Sequence, residues 1–377
     1  MIRVLQVIGV MDRGGAETMI MNLYRAINRS EIQFDFLVHE QREGDYDAEI
    51  RDFGGRIFRI PRFNGLNYSL YRRCVRAFFE EHRGYSIVHG HIGSCAPIYL
   101  AEAKRAGCYT IAHSHSQNFY KGLLGVAFNL FSQPVRGVAD FYFGCSREAG
   151  IDRFGPEIVN SSSFHVLPNG IDATRYVCDQ ATHEEAKSKL GFTGRPIICH
   201  VGRFIPVKNH AFLFNVFAHV LEDVPNAVLL LAGRGELEEP LRELAEELKI
   251  SNSVSFLGVV DDVSPLLRAS DIFVFPSIKE GLPLAVVEAQ AAGLSTVVSS
   301  GVPELAIMSD DAYRVPLSDG VLEWARLCVE LIEATNRKPR HDGVFAVREH
   351  GFDITETSAW LAAFYQNAAK HSMPKQL

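Results

Sequence analysis

The 377-residue chain predicts an α/β protein made of two doubly wound parallel-sheet domains. Three observations predict it. Short apolar runs alternate with helical stripes along the chain, and the alternation starts afresh after Asn169-Gly170-Ile171-Asp172. The length suits two domains at about 150 residues each. Buried strands separated by helices require a parallel sheet covered on both faces.

The elements follow in order. Val4 to Val10 is an apolar opening strand, and Ala16, Met19, Ile20, Leu23 and Ile27 make a helical stripe. Phe34 to Val38 is a second strand, followed by a helix near 69–82 with Leu70, Cys74, Val75 and Phe78 on one face. Ser86 to His89, Tyr109 to Ala112 and Phe141 to Phe143 are further short strands. The second half repeats the scheme. Its strands are Pro196 to Val201, Ala227 to Ala232, Val254 to Leu257, Ile272 to Phe275 and Thr296 to Ser299. Helices are expected over Ala211 to Leu221, around Leu241 to Leu248, and over Leu284 to Ala292. A last helix near 355–370 carries Trp360, Leu361, Phe364 and Tyr365. The domain boundary is placed at 175/176, where polar and helix-breaking residues gather.

Composition excludes several classes. Seven scattered cysteines without a C-x-x-C pair suit reduced thiols in a cytoplasm, not a disulfide scaffold or zinc site. No run of 18 apolar residues is present, and the opening residues are too short and polar for a secretory leader. Net charge is −7, with 20 basic against 18 acidic residues in 1–175 and 18 against 27 in 176–377. Nucleic acid is not an expected partner of an acidic chain without aromatic–basic interleaving. Arginines 51, 56, 59, 62, 72, 73 and 76 read either as a solvated face or as a patch for anionic lipid or a phosphate-bearing acceptor. Phe119 to Phe131, flanked by Lys121 and Arg136, reads as a core helix or a membrane-surface one.

The stretch Ser277 to Ala289 carries the most specific chemistry. Glu280 lies in a Gly/Pro loop after a strand, and Glu288 lies eight positions on inside an apolar helix. A buried carboxylate needs a partner, either ligand hydroxyls or a buried Arg. Gly202-Arg203-Phe204-Ile205-Pro206-Val207-Lys208-Asn209 follows a strand and precedes a helix, where two cations suit a diphosphate. Gly14-Gly15-Ala16-Glu17 follows the first strand, and two glycines at a helix start admit an anion closely.

Together, Glu280-Gly281-x-Pro283 and Glu288-Ala289-x-Ala291-x-Gly293 resemble the E-x(7)-E signature of glycosyltransferase family 4. The resemblance implies the GT-B fold: two Rossmann-like domains facing a cleft. The domains would be 1–175 on the acceptor side and 176–354 on the donor side, with the helix 355–377 crossing back to the first. It implies that Glu288 holds the donor ribose, and that Glu280 with the backbone of Gly281, Leu282 and Pro283 meets the sugar and phosphate. Arg203 and Lys208, beside Gly202, would grip the diphosphate. Gly14 and Gly15 would lie near the donor phosphates, and Gly233, Gly235 and Val259 near the nucleotide. His113, in His113-Ser114-His115-Ser116, would contact the donor sugar.

Two histidines at i and i+2 also suit a metal, but the sequence shows no third ligand, and His89 and His91 read as loop residues. Asp45-Tyr46-Asp47 reads as a chance D-x-D, so no metal is expected. Ser295 departs from the family's usual Pro, whereas Gly301-Val302-Pro303-Glu304 conforms. The implied activity is a retaining transfer of a hexose from a UDP- or GDP-linked sugar to a glycan or lipid-linked hydroxyl. No cofactor beyond the donor is expected. The implied setting is bacterial exopolysaccharide synthesis in the cytoplasm, at the inner face of the membrane, with domain closure on the donor. A nucleotide-sugar epimerase and a non-catalytic nucleotide-sugar-binding subunit are the alternatives.

Overall fold

The computed structural model describes residues 1–115, 133–335 and 343–372, so the apolar stretch 119–131 falls outside the described residues. The chain forms two compact units, Met1–Gly170 with Ile354–Leu377, and Ile171–Asp353. The division falls at Gly170/Ile171 and again at Asp353/Ile354.

In the first unit a seven-stranded sheet has the order β3-β2-β1-β4-β5-β6-β7. The strands are β1 Ile2–Ile8, β2 Ile32–Val38, β3 Ile57–Arg59, β4 Ile87–Gly90, β5 Tyr109–Ser114, β6 Phe141–Gly144 and β7 Phe164–Val166. Every pairing is parallel. Because side chains alternate along a strand, Leu5 and Val7 point to one face with Leu37 and Val88. There they pack under the helices Tyr68–Glu81 and Ala96–Arg105. Gln6 and Phe34 point to the other face, against Tyr365 of the last helix, Ile354–His371. That helix packs on Gly15–Ala26 and on β4 and β5, all within this unit.

The second unit repeats the plan with six strands in the order β10-β9-β8-β11-β12-β13. These are β8 Ile197–Val201, β9 Val228–Ala232, β10 Val254–Gly258, β11 Ile272–Phe275, β12 Ser295–Ser299 and β13 Ala312–Val315. One face packs Ile198, Leu229, Leu231, Val274 and Val297 against the helices His210–Asp223, Glu238–Glu247 and Gly320–Thr335. In both sheets the first strand of the unit lies between the second and the fourth. The strand order therefore reverses beside β1 and β8, which opens a crevice at the carboxyl ends of β1/β4 and of β8/β11.

Three edge strands, β3, β7 and β13, were not expected from the sequence. They are three or four residues long and only partly buried, too short to show alternation. His89 lies within β4 and is fully buried, which corrects its reading as a loop residue. Ser295 begins β12 without disturbing its pairing with β11.

Candidate functional site

The crevice of the second unit is built by the loops that leave β8 and β11. The first carries Gly202 to Asn209, and the second carries Pro276 to Pro283. Backbone bonds stitch them together: the Ile278 amide donates to the Val207 carbonyl (2.8 Å), and the Asn209 side chain donates to the Pro276 carbonyl (3.3 Å). The loop after β12 supports the second, since the Glu280 amide donates to Gly301 O at 2.9 Å. A Cβ on Gly301 would stand 2.2 Å from the Ile278 carbonyl, so a side chain there would push the Glu280 loop away.

This stitching brings Lys208 and Glu280 together. Their Nζ···Oε1 separation is 2.8 Å, both side chains are mostly buried, and the ammonium sits 4.6 Å from the Phe275 ring centroid. Ser277 Oγ donates to the Val207 carbonyl at 2.8 Å and also touches the Glu280 carboxylate. A lysine fixed in this way is a preorganised positive charge at a strand end. Arg203 lies on the same loop, exposed. Gly281, Leu282 and Pro283 lead from Glu280 into the helix Leu284–Ala291.

Glu288, in the second turn of that helix, is buried. Within the protein its partner is not the buried Arg that the sequence suggested: the Tyr176 hydroxyl donates to Glu288 Oε1 at 2.9 Å. Burial pushes the carboxyl above its ordinary value, and the Tyr176 bond and Arg175 counter this only in part. Arg175 itself pairs with Asp262 at 3.0 Å. No hydrogen bond or ion pair among the described residues joins Glu288 to Lys208 or Glu280. Sequence reasoning missed Tyr176 because it stands 112 positions away in a segment of no regular pattern.

Gly233 and Gly235 have a packing reason. A Cβ on Gly233, which has φ +150°, would stand 2.0 Å from the Gly202 carbonyl, and one on Gly235 would stand 2.3 Å from that of Phe204. The loops after β8, β9 and β10 are thus laid side by side, with Gly233 N donating to Gly258 O at 2.8 Å. Val259 follows them, exposed.

In the first unit, Gly14 caps the helix Gly15–Ala26 in extended conformation, and no described atom lies within 4 Å of a Cβ placed on Gly15. Asp45 accepts the Arg13 amide at 3.0 Å and Asp47 pairs with Arg59 at 2.6 Å. His113, on β5, belongs to an array with His89, buried like it, and with the half-buried His91 and His115. The His89 and His113 rings stack at 5.2 Å, and His113 and His115 at 4.0 Å. Nitrogens of His89, His91 and His113 lie within 4.8 Å of one another, a set of three that the sequence reading of His113 with His115 did not show. Two of the three are engaged with each other, His89 Nε2 and His113 Nδ1 at 3.2 Å.

Of the arginines singled out between 51 and 76, those at 51, 56, 59, 62, 72 and 76 are ion-paired. Those pairs support the solvated-face reading more than a free basic patch. Among the described residues no helix is long and apolar enough to cross a membrane.

Residues 13–175 match the family described as Glycosyltransferase Family 4, and residues 182–320 match Glycosyl transferases group 1. EpsF of Bacillus subtilis (strain 168), itself only provisionally named a glycosyltransferase, is 34% identical over 373 residues, 96% of each chain. An Escherichia coli protein named UDP-Gal:alpha-D-GlcNAc-diphosphoundecaprenol alpha-1,3-galactosyltransferase is 31% identical over 313 residues, 76% of this chain and 79% of its own. Among solved structures, Anabaena Alr3699/HepE in complex with UDP-glucose superposes with a TM-score of 0.78 at 18% identity, covering 97% of this chain and all of that one. WaaG, a glycosyltransferase involved in lipopolysaccharide biosynthesis, gives 0.73 at 16% identity, covering 96% and 99%. On its two sheets, their strand order and its full-length relative, this chain belongs to glycosyltransferase family 4 and has the GT-B fold.

Proposed function

We propose that this protein moves a hexose from a nucleoside-diphosphate sugar to a hydroxyl of a lipid-linked glycan, with retention of the anomeric configuration. The observation that carries the reading is the Lys208–Glu280 pair at the β8/β11 crevice, with Arg203 on the same loop. Lys208 and Arg203 take the diphosphate and Glu280 a sugar hydroxyl; Glu288 holds the ribose. The donor and acceptor classes draw support from the E. coli relative's name and from UDP-glucose in the Anabaena neighbour.

No carboxylate in these motifs stands out as a nucleophile, so attack occurs on the face from which the diphosphate leaves. The acceptor oxygen bonds to C1 as the C1–O bond to phosphate breaks, and the acceptor proton passes to that phosphate oxygen. The two cations stabilise the departing charge, the term that most often dominates such barriers. They supply the role that a divalent ion would otherwise fill, so EDTA is expected to leave the rate unchanged; a rate abolished by EDTA and restored by Mg²⁺ or Mn²⁺ contradicts this.

The deciding experiment is a panel of UDP- and GDP-sugars screened by thermal shift, followed by transfer assays on lipid-linked acceptors. A ligand stabilises the native state by its occupancy, so the true donor raises Tm most. Free nucleotide must then appear only when acceptor is added. Conversion of the sugar without acceptor, followed by NMR, identifies an epimerase, and binding without release identifies a non-catalytic subunit.

A further inference from the structure

The four-histidine array of the first unit forms two hydrogen-bonded chains whose proton positions can be read from their ends. One chain runs from Gln6 Oε1 to His91 Nε2 (2.8 Å), and from His91 Nδ1 to His115 Nε2 (2.7 Å). The other runs from Tyr365 Oη to His89 Nδ1 (2.6 Å), and from His89 Nε2 to His113 Nδ1 (3.2 Å). Gln6 Nε2 reaches the Tyr365 hydroxyl at 3.5 Å and links the two.

An amide oxygen only accepts, so His91 must donate from Nε2. A neutral His91 then accepts at Nδ1, and His115 must donate from Nε2. Tyr365 is fully buried, and its hydroxyl proton has one acceptor among the described residues, His89 Nδ1. The 2.6 Å separation suits an O–H donor better than an N–H one. His89 therefore carries its proton on Nε2 and gives it to His113 Nδ1. Burial holds His89, His91 and His113 well below their ordinary values and His115 at about 3, so neutral rings are the relevant form. Two atoms remain buried without a partner among the described residues, His113 Nε2 and His115 Nδ1.

We infer that Gln6 and Tyr365 are positioning residues that set all four imidazoles in the Nε2–H form, so that His113 presents an N–H donor and His115 a lone pair to ligand hydroxyls. The ligand part rests on the glycosyl-transfer reading; the tautomers do not. An N–H beside a lone pair matches hydroxyl groups, which both accept and donate.

The test is ring-¹⁵N-histidine labelling of the full chain and long-range ¹H–¹⁵N correlation spectra, which tell Nε2–H from Nδ1–H. The wild-type protein is expected to show all four rings as Nε2–H. Tyr365→Phe should turn His89 and His113 into tautomer mixtures while His91 and His115 hold. Gln6→Leu should do the reverse. Tyr365→Phe should also lower kcat, by about 10²-fold at most, the cost of misplacing a positioned group. Any of the four rings found as Nδ1–H in the wild type overturns the inference, whether or not the variants fold, and so do spectra unmoved by both substitutions. Shifted tautomers in Tyr365→Phe, with full transfer activity in both that variant and His113→Ala, keep the relay and remove these rings from the transfer reaction.

Discussion

Glu288 weakens the fold that holds it. Its carboxyl is raised above the ordinary value by burial, so the folded state favours the protonated form. Stability on this account is greatest below the unfolded pKa and falls as pH rises through the folded one. Glu288→Gln is therefore expected to raise Tm at pH 8 relative to wild type, with the gain vanishing near pH 4. The same change should weaken UDP or GDP binding by calorimetry, and unchanged affinity would contradict the ribose role. Arg203 behaves differently because it is exposed. Arg203→Ala is expected to leave Tm in place yet slow transfer by about 10²–10³, the range for one lost preorganised donor. A rate within threefold of wild type would exclude it from the diphosphate site.

Single strands and loops show what chain chemistry commits to. Asp35, in the middle of β2, is lifted by burial but pulled down further by Arg3, Arg56 and Tyr85, to about 2. Its stabilisation is present above the unfolded value of 3.8 and disappears as pH falls towards 2, about 2 kcal/mol at most. Asp35→Asn should lose that amount at pH 7 and nothing further near pH 2, as read by urea unfolding. Gly233→Ala meets the Gly202 carbonyl and needs φ +150°. It should cost about 1–3 kcal/mol, as overpacking does. The central strands were legible because they are fully buried apolar runs, as β9 is. Of the half-buried edge strands only β10 was, while the shorter or less apolar β3, β7 and β13 were not, and the helix Ala96–Arg105 was missed although Pro97 stands in its first turn. In the site, Glu280 and Lys208 could be picked out by motif. Their pairing depends on two loops 72 positions apart meeting at one crevice, which only the sheet order supplies. The histidine chains were illegible for the same reason, since Gln6, His89, His113 and Tyr365 share a face only once β1, β4, β5 and the last helix assemble.

At the scale of the molecule, all the residues proposed for the diphosphate and ribose belong to Ile171–Asp353. Hydrogen exchange with UDP or GDP alone should therefore slow mainly within that unit, around Gly202–Lys208 and Glu280–Glu288. Protection confined to Met1–Gly170 would place the nucleotide on the other sheet and refute the assignment.

The first unit is discontinuous, because its last helix arrives after the whole of the second has been made. A ribosome that has released residue 170 has therefore left β4 and β5 without the cover of Ile354–His371, and Tyr365 does not yet exist. The half encoded later is contiguous and can close its core as soon as it emerges. Birth order and completion order are thus opposite in this chain. A message truncated just short of the final helix would yield a finished second unit joined to a first unit with an open sheet face.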